Sequence, residues 1–192
     1  MNPSPVAAAV SAARRSRHRP AGFTLIELMV TVAVAALVVG LGVPSILHTL
    51  ARHAIDAQAE ELQDAVRVGR SEAMKRSGPV VLCRTEESNP THCAGSGGSW
   101  QTWVLFTDAA RSGTFAAGDS MLRQHQDASK RTTVTADAAS ILFEATGIAH
   151  ADTGPAVIVL AERGAADPAQ QRQVCVNPRG DVAIVAGDTR CP

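Results

Sequence analysis

The sequence predicts an α+β fold in which one long N-terminal helix packs on an antiparallel β-sheet head. Three observations lead there. Residues 23–47 are almost wholly apolar, and residues 51–73 repeat apolar side chains at helical spacing. After Gly78 the chain breaks into short β-like runs punctuated by Gly, Pro, Asp and Asn. A length of 192 residues allows one domain plus an appendage.

Residues 1–22 are Ala-rich and then basic, with Arg14, Arg15, Arg17 and Arg19 ahead of Gly22. They read as a cytoplasmic leader without a fold. From Leu28 to Val43 no residue is charged; extended from Phe23 to Leu47, the run has 25 residues. As a helix that is about 37 Å, enough for a hydrocarbon core of about 30 Å. The upstream arginines place the N-terminal side in the cytoplasm and everything after Leu47 outside it. A secretory signal peptide would also be basic and then apolar. This run is longer, Glu27 interrupts it, and no small-x-small cleavage site follows closely.

Glu27 is the one charge in that run. A carboxylate at the centre of a bilayer costs about 2.5–3.5 kcal/mol, less near the interface, and so is a functional residue by default. It needs a positive partner, and none lies between Phe23 and Leu47.

Helical periodicity continues beyond the apolar run. Ala51, Ile55, Leu62, Val66, Gly69 and Ala73 share one face, while Arg52, Asp56, Glu60, Asp64, Arg67, Arg70 and Glu72 occupy the others. Glu72 and Arg76 form a well-oriented i,i+4 pair. Ser77-Gly78-Pro79 supplies a flexible residue and then one that cannot continue a helix. One helix from Phe23 to Arg76 is predicted. Gly40, Gly42 and Pro44 weaken it near its midpoint, where bending or local melting is expected.

The β-like runs are 80–83, 103–106, 120–123, 132–135, 140–143, 157–160, 173–176 and 182–185, forming one antiparallel sheet or a pair. Trp100, Trp103 and Phe106 are expected to pack beneath it.

Formal net charge is zero, but without the four leader arginines 14 basic residues face 18 acidic ones. A net charge of −4 argues against general polyanion binding. Cys83, Cys93, Cys175 and Cys191 all follow the apolar run, where an oxidising compartment favours disulfides. Three pairings exist. The local one, Cys83 with Cys93 and Cys175 with Cys191, is preferred because each bond closes a short loop, adding roughly 2–3 kcal/mol. No C-x-x-C pair is present, so no metal is expected. Gly95–Ser99 lacks the ending of a phosphate loop, and no nucleophile motif stands out. Neither a cofactor nor enzyme activity is expected.

The segment Gly22-Phe23-Thr24-Leu25-Ile26-Glu27-Leu28-Met29-Val30, behind its basic leader, resembles the class III signal of type IV pilins and type II secretion pseudopilins. That resemblance implies cleavage between Gly22 and Phe23 by a prepilin peptidase, and methylation of the new Phe23 amine. It also implies that Glu27 pairs with the N-terminal ammonium of a neighbouring subunit, each charge offsetting the other's desolvation. The leader is longer than usual for the class, which points to a start downstream of Met1.

Farther along, Arg70-Ser71-Glu72-Ala73-Met74-Lys75-Arg76, Pro79–Cys83 and Trp100–Asp108 resemble the GspH/FimT family of minor pilins and pseudopilins, with a fainter echo at Ile141–Phe143 and Gly147. Thr102 stands where the family often has Gly, a change expected to alter only a turn. The resemblance implies a pilin-like fold in four parts: a leader at 1–22, a transmembrane half-helix at 23–47, a periplasmic half-helix at 48–77 and a β-rich head at 78–192. It implies a single pass through the bacterial inner membrane, with the N-terminus cytoplasmic and the head periplasmic. The implied work is to prime or cap a type IV pilus or type II secretion pseudopilus with other pilin or pseudopilin subunits.

Some FimT-like members bind DNA through a Gly-Arg-x-Arg loop, which makes a DNA-binding subunit at a competence pilus tip the alternative. The corresponding stretch here is Arg179-Gly180-Asp181-Val182-Ala183, with Asp and Ala in place of the two arginines. Arg179 and Arg190, near Cys175 and Cys191, make at most a small basic loop, and two arginines support only weak binding by counterion release.

Overall fold

The structure, a computed structural model, describes residues 22–87, 89–95, 98–126, 131–152, 154–165 and 167–192, with 41–48 as backbone only. The leader arginines, most of the 1–22 segment and part of the Gly95–Ser99 stretch lie outside these residues. The chain divides into two units, Met1–Val43 and Pro44–Pro192.

Helix α1 runs from Leu25 to Arg76. Thr24 starts it: its hydroxyl accepts from the Glu27 amide at 3.2 Å, and its carbonyl from the Leu28 amide at 3.1 Å. The backbone stays helical through Gly40, Gly42 and Pro44, so the expected local melting is absent. At the other end the left-handed residue is Ser77, with φ 52°, rather than Gly78. The Gly78 amide reaches back to the Ala73 carbonyl and the Ser77 amide to Met74, closing the last turn in a Schellman arrangement.

In the second unit, α1 buries Ala51, Ile55, Leu62, Val66, Gly69 and Ala73, the predicted face, and adds Ala59 and Ala65. Among the described residues nine strands follow: β1 Val80–Arg84, β2 Thr102–Thr107, β3 Met121–Gln126, β4 Thr132–Ala136, β5 Ser140–Phe143, β6 Ala149–Ala151, β7 Ala156–Glu162, β8 Arg172–Val176 and β9 Val182–Ala186. The three-residue β6 and a 3-10 turn at Pro168–Gln170 carry too little pattern to be read from sequence. All pairings are antiparallel, in two sheets of order β3-β2-β1-β5-β6 and β4-β7-β8-β9.

The main core joins the helix face to one face of each sheet, with Leu82, Trp103, Leu105 and Phe143 from the first and Ile158, Leu160 and Val174 from the second. Val81, Cys83, Val104 and Phe106 form a smaller cluster on the far side of β1 and β2. Burial on both faces explains why Trp103–Phe106 reads as an unbroken apolar run instead of alternating. Thr102 is no turn residue: it opens β2, is buried, and donates its hydroxyl to the Thr85 carbonyl at 2.6 Å.

The charged flanks of α1 are used as well. Asp64 meets Arg123 at 2.6 Å and Glu61 meets His125 at 2.9 Å, both on β3. His125 also stacks on Trp103 with ring centroids 5.4 Å apart. On the other flank, Asp56 takes Arg172 of β8 at 2.8 Å.

Candidate functional site

The segment singled out by sequence lies at the start of α1. Gly22, Phe23 and Thr24 precede the helix, and no atom comes within 4 Å of a side chain built at Gly22. Phe23 is 81% exposed, and every large apolar side chain from Leu25 to Val39 is exposed as well. Glu27 occupies the first turn, where a carboxylate also complements the partial positive charge of a helix N-terminus. Thr24 and Glu27 have capping-box spacing, and the Glu27 backbone amide donates to the Thr24 hydroxyl, holding the first turn. No Lys or Arg of this chain approaches Glu27 among the described residues.

Among the described residues no helix is long and apolar enough to cross a membrane. Their apolar part of α1 spans Leu25–Gly40, sixteen residues, while the predicted span runs on to Leu47 through residues whose side chains are not described.

The four cysteines form two bonds, Cys83–Cys93 and Cys175–Cys191, with Cα atoms 5.4 and 5.6 Å apart. Cys83 is fully buried on β1, so the first bond fastens the 85–94 loop to the small apolar cluster. The second returns the C-terminal residues to β8.

Arg179 sits in the β8–β9 hairpin and Arg190 in the C-terminal segment; both are exposed, and no contact joins them. The hairpin is tightly built. Asn177 Oδ1 accepts the amides of Arg179 and Asp181 at 2.9 and 3.1 Å, and Gly180 takes φ 77°. Asp181, where the DNA-binding pattern would have an arginine, is committed to Arg70 of α1 at 2.7 Å. Sequence reasoning placed Arg70 on a solvent face. Its partner lies 111 residues away, a distance no local signal spans.

Asp108 was read only as the end of a motif. It is buried, and its carboxylate accepts the amides of Ser112 and Gly113 at 2.9 and 2.8 Å, shaping the loop after β2. A charged residue directly after an apolar strand was the available clue.

The family described as Type II transport protein GspH matches residues 58–180, and the prokaryotic N-terminal methylation motif matches residues 17–43. Among solved structures, the type IV minor pilin FimU of Pseudomonas aeruginosa (strain PAO1) aligns with a TM-score of 0.54 at 18% identity, covering 72% of this chain and 92% of that one. The minor pseudopilin EpsH of the Vibrio cholerae type II secretion system gives 0.49 at 13% identity, over 71% and 96%. GspH of E. coli gives 0.44 at 13% identity, over 79% and 99%. A search of curated proteins returns no match. The similarity to FimU is one of fold, a helix packed on antiparallel sheets. With nearly two thirds of its length matched by the family and the methylation motif at its N-terminal helix, this chain belongs to the GspH family of pilin-like proteins.

Proposed function

We propose that this chain is a minor structural subunit that primes or caps a type IV pilus or type II secretion pseudopilus. In this reading a prepilin peptidase cuts between Gly22 and Phe23 and the new amine is methylated. Residues 23–47 anchor the subunit in the inner membrane, with the disulfide-bonded head in the periplasm. On assembly, Glu27 pairs with the N-terminal ammonium of the neighbouring subunit.

One observation carries the reading: a lone carboxylate in the first turn of α1, in a stretch, 25–39, whose large apolar side chains are all exposed. Such a surface must be covered by lipid or by like helices. An acid within it is tolerable only when paired. Glu27→Ala in the host tests this. Processing to a Phe23 N-terminus is expected to persist, read by mass spectrometry, while recovery in sheared filaments drops. Wild-type recovery of that variant would overturn the assembly role, and an N-terminus other than Phe23 would overturn the processing.

The alternative, DNA binding at a competence pilus tip, has Arg179 and Arg190 in its favour, both exposed and without a carboxylate partner among the described residues. Against it, Asp181 puts a carboxylate in the same hairpin. A gel shift with the head at low salt decides; retardation abolished by Arg179→Ala and Arg190→Ala would reverse the preference.

A further inference from the structure

Within the second unit, the helix, the 3-10 turn and the start of β8 enclose a cleft of about 250 Å³, lined by Arg52, Asp56, Asp167, Gln170 and Arg172 among others. Its charges are two of each sign, but they are not all matched. Arg172 donates through Nε to Asp56 at 2.8 Å and through its terminal nitrogen to the Gln171 carbonyl at 3.2 Å. Arg52 is exposed and has no carboxylate partner among the described residues. Asp167 accepts the Ala169 amide at 3.0 Å and the Gln170 side-chain amide at 3.4 Å, and no cation among the described residues reaches it. One cation and one anion therefore remain open on a single cleft of zero net charge. That pattern suits a zwitterion better than a simple anion, which Asp56 and Asp167 would repel.

The chain's own course names the source. The apolar run ends at Leu47, five residues before Arg52, and Leu50 between them is 52% exposed. Five helical residues rise about 7.5 Å, close to the roughly 5–7 Å of one headgroup layer. We propose that this cleft binds the headgroup of a zwitterionic phospholipid bearing a primary amine, with the phosphate on Arg52 and the ammonium on Asp167. A phosphate bridged to an arginine and an ammonium offering three N–H groups to a carboxylate are both charge-assisted contacts. A trimethylated amine has no N–H to offer, so choline lipids bind less well. The site rests on the membrane anchoring proposed above.

The test uses the full-length chain in nanodiscs of equal parts phosphatidylethanolamine and phosphatidylcholine. Native mass spectrometry counts lipids retained on release, and vesicle flotation reports insertion separately. Wild-type protein is expected to retain phosphatidylethanolamine preferentially. Arg52→Ala should lower that retention about fivefold, the upper range of one exposed ion pair. Asp167→Asn should remove the preference over phosphatidylcholine while leaving flotation intact. Soluble glycerophosphoethanolamine at equal concentration should not compete, because it lacks the bilayer that brings the group to the cleft. Equal retention of both lipids by wild-type protein that floats, or an Arg52→Ala variant that retains as much as wild type, overturns the site. Failure to float overturns the anchoring instead.

Discussion

Arg70 of α1 donates to Asp181 of the β8–β9 hairpin at 2.7 Å, tying the helix to a loop 111 residues away. The contact is more than an ion pair. A side chain at Gly180 would lie 3.0 Å from Arg70 Cδ and 2.5 Å from the Gly147 carbonyl, so the arginine stem runs directly over the hairpin.

Because the pair is partly exposed, at 34% and 56%, its charge contributes little, and packing of the stem contributes more. Asp181→Ala should cost about 0.5 kcal/mol in urea unfolding. Arg70→Ala should cost about 1–2 kcal/mol, since the stem goes too. Gly180→Ala should be worst of the three, at about 2–3 kcal/mol, because its φ of 77° and the backbone carbonyl both oppose a Cβ.

Gly69 marks where α1 comes nearest the first sheet. A Cβ there would sit 2.8 and 2.9 Å from Phe143 ring atoms and 3.0 Å from Leu105 Cδ1. Both neighbours are fully buried and have no room to yield. Gly69→Ala gains up to about 1 kcal/mol of helix propensity against an overpacking cost of about 1–3 kcal/mol. The expected net change is a loss, read as a lower urea midpoint with the m-value unchanged. A gain in stability would show that helix and sheet can part at this point.

Acid should weaken the fold in part through Glu144. Two hydrogen bonds from Arg111, at 2.8 and 2.6 Å, hold its carboxyl below the ordinary value of 4.5. Glu72 is lowered likewise by Arg76 and then Lys75. A depressed folded-state value adds stability that is complete above the unfolded value and is lost as pH falls through the folded one. Melting temperature should therefore decline below about pH 4.5. In Glu144→Gln part of that decline should vanish, with some stability already missing at neutral pH. An unchanged acid limb in the variant would exclude the Arg111 contact as a contributor.

The two disulfides close loops of 10 and 16 residues, which by loop entropy correspond to about 2.7 and 3 kcal/mol. Cys83→Ser with Cys93→Ser should nonetheless cost more than Cys175→Ser with Cys191→Ser, because it leaves a hydroxyl among Val81, Val104 and Phe106. Thiol titration of the unfolded wild-type protein should find no free sulfhydryl.

How much of this was legible in the sequence follows from the range of each signal. The helix end at Arg76, the buried face from Ala51 to Ala73 and most strands were readable, because periodicity and turn chemistry act over a few residues. The Glu72–Arg76 pair was readable for the same reason, and it forms at 2.8 Å. So was the peculiarity of Glu27, since a charge in an apolar run needs no structure to be conspicuous. The sheet order was not: β1 sits between β2 and β5, and β4 leaves its neighbours for the second sheet, because strand partners are chosen by burial across long stretches of chain. For the same reason Asp56, Asp64 and Arg70 were placed only on the faces away from the apolar stripe. Only the folded chain brings Arg172, Arg123 and Asp181 against them, and His125 against Glu61, turning charges on the flanks of a helix into its attachment to the head.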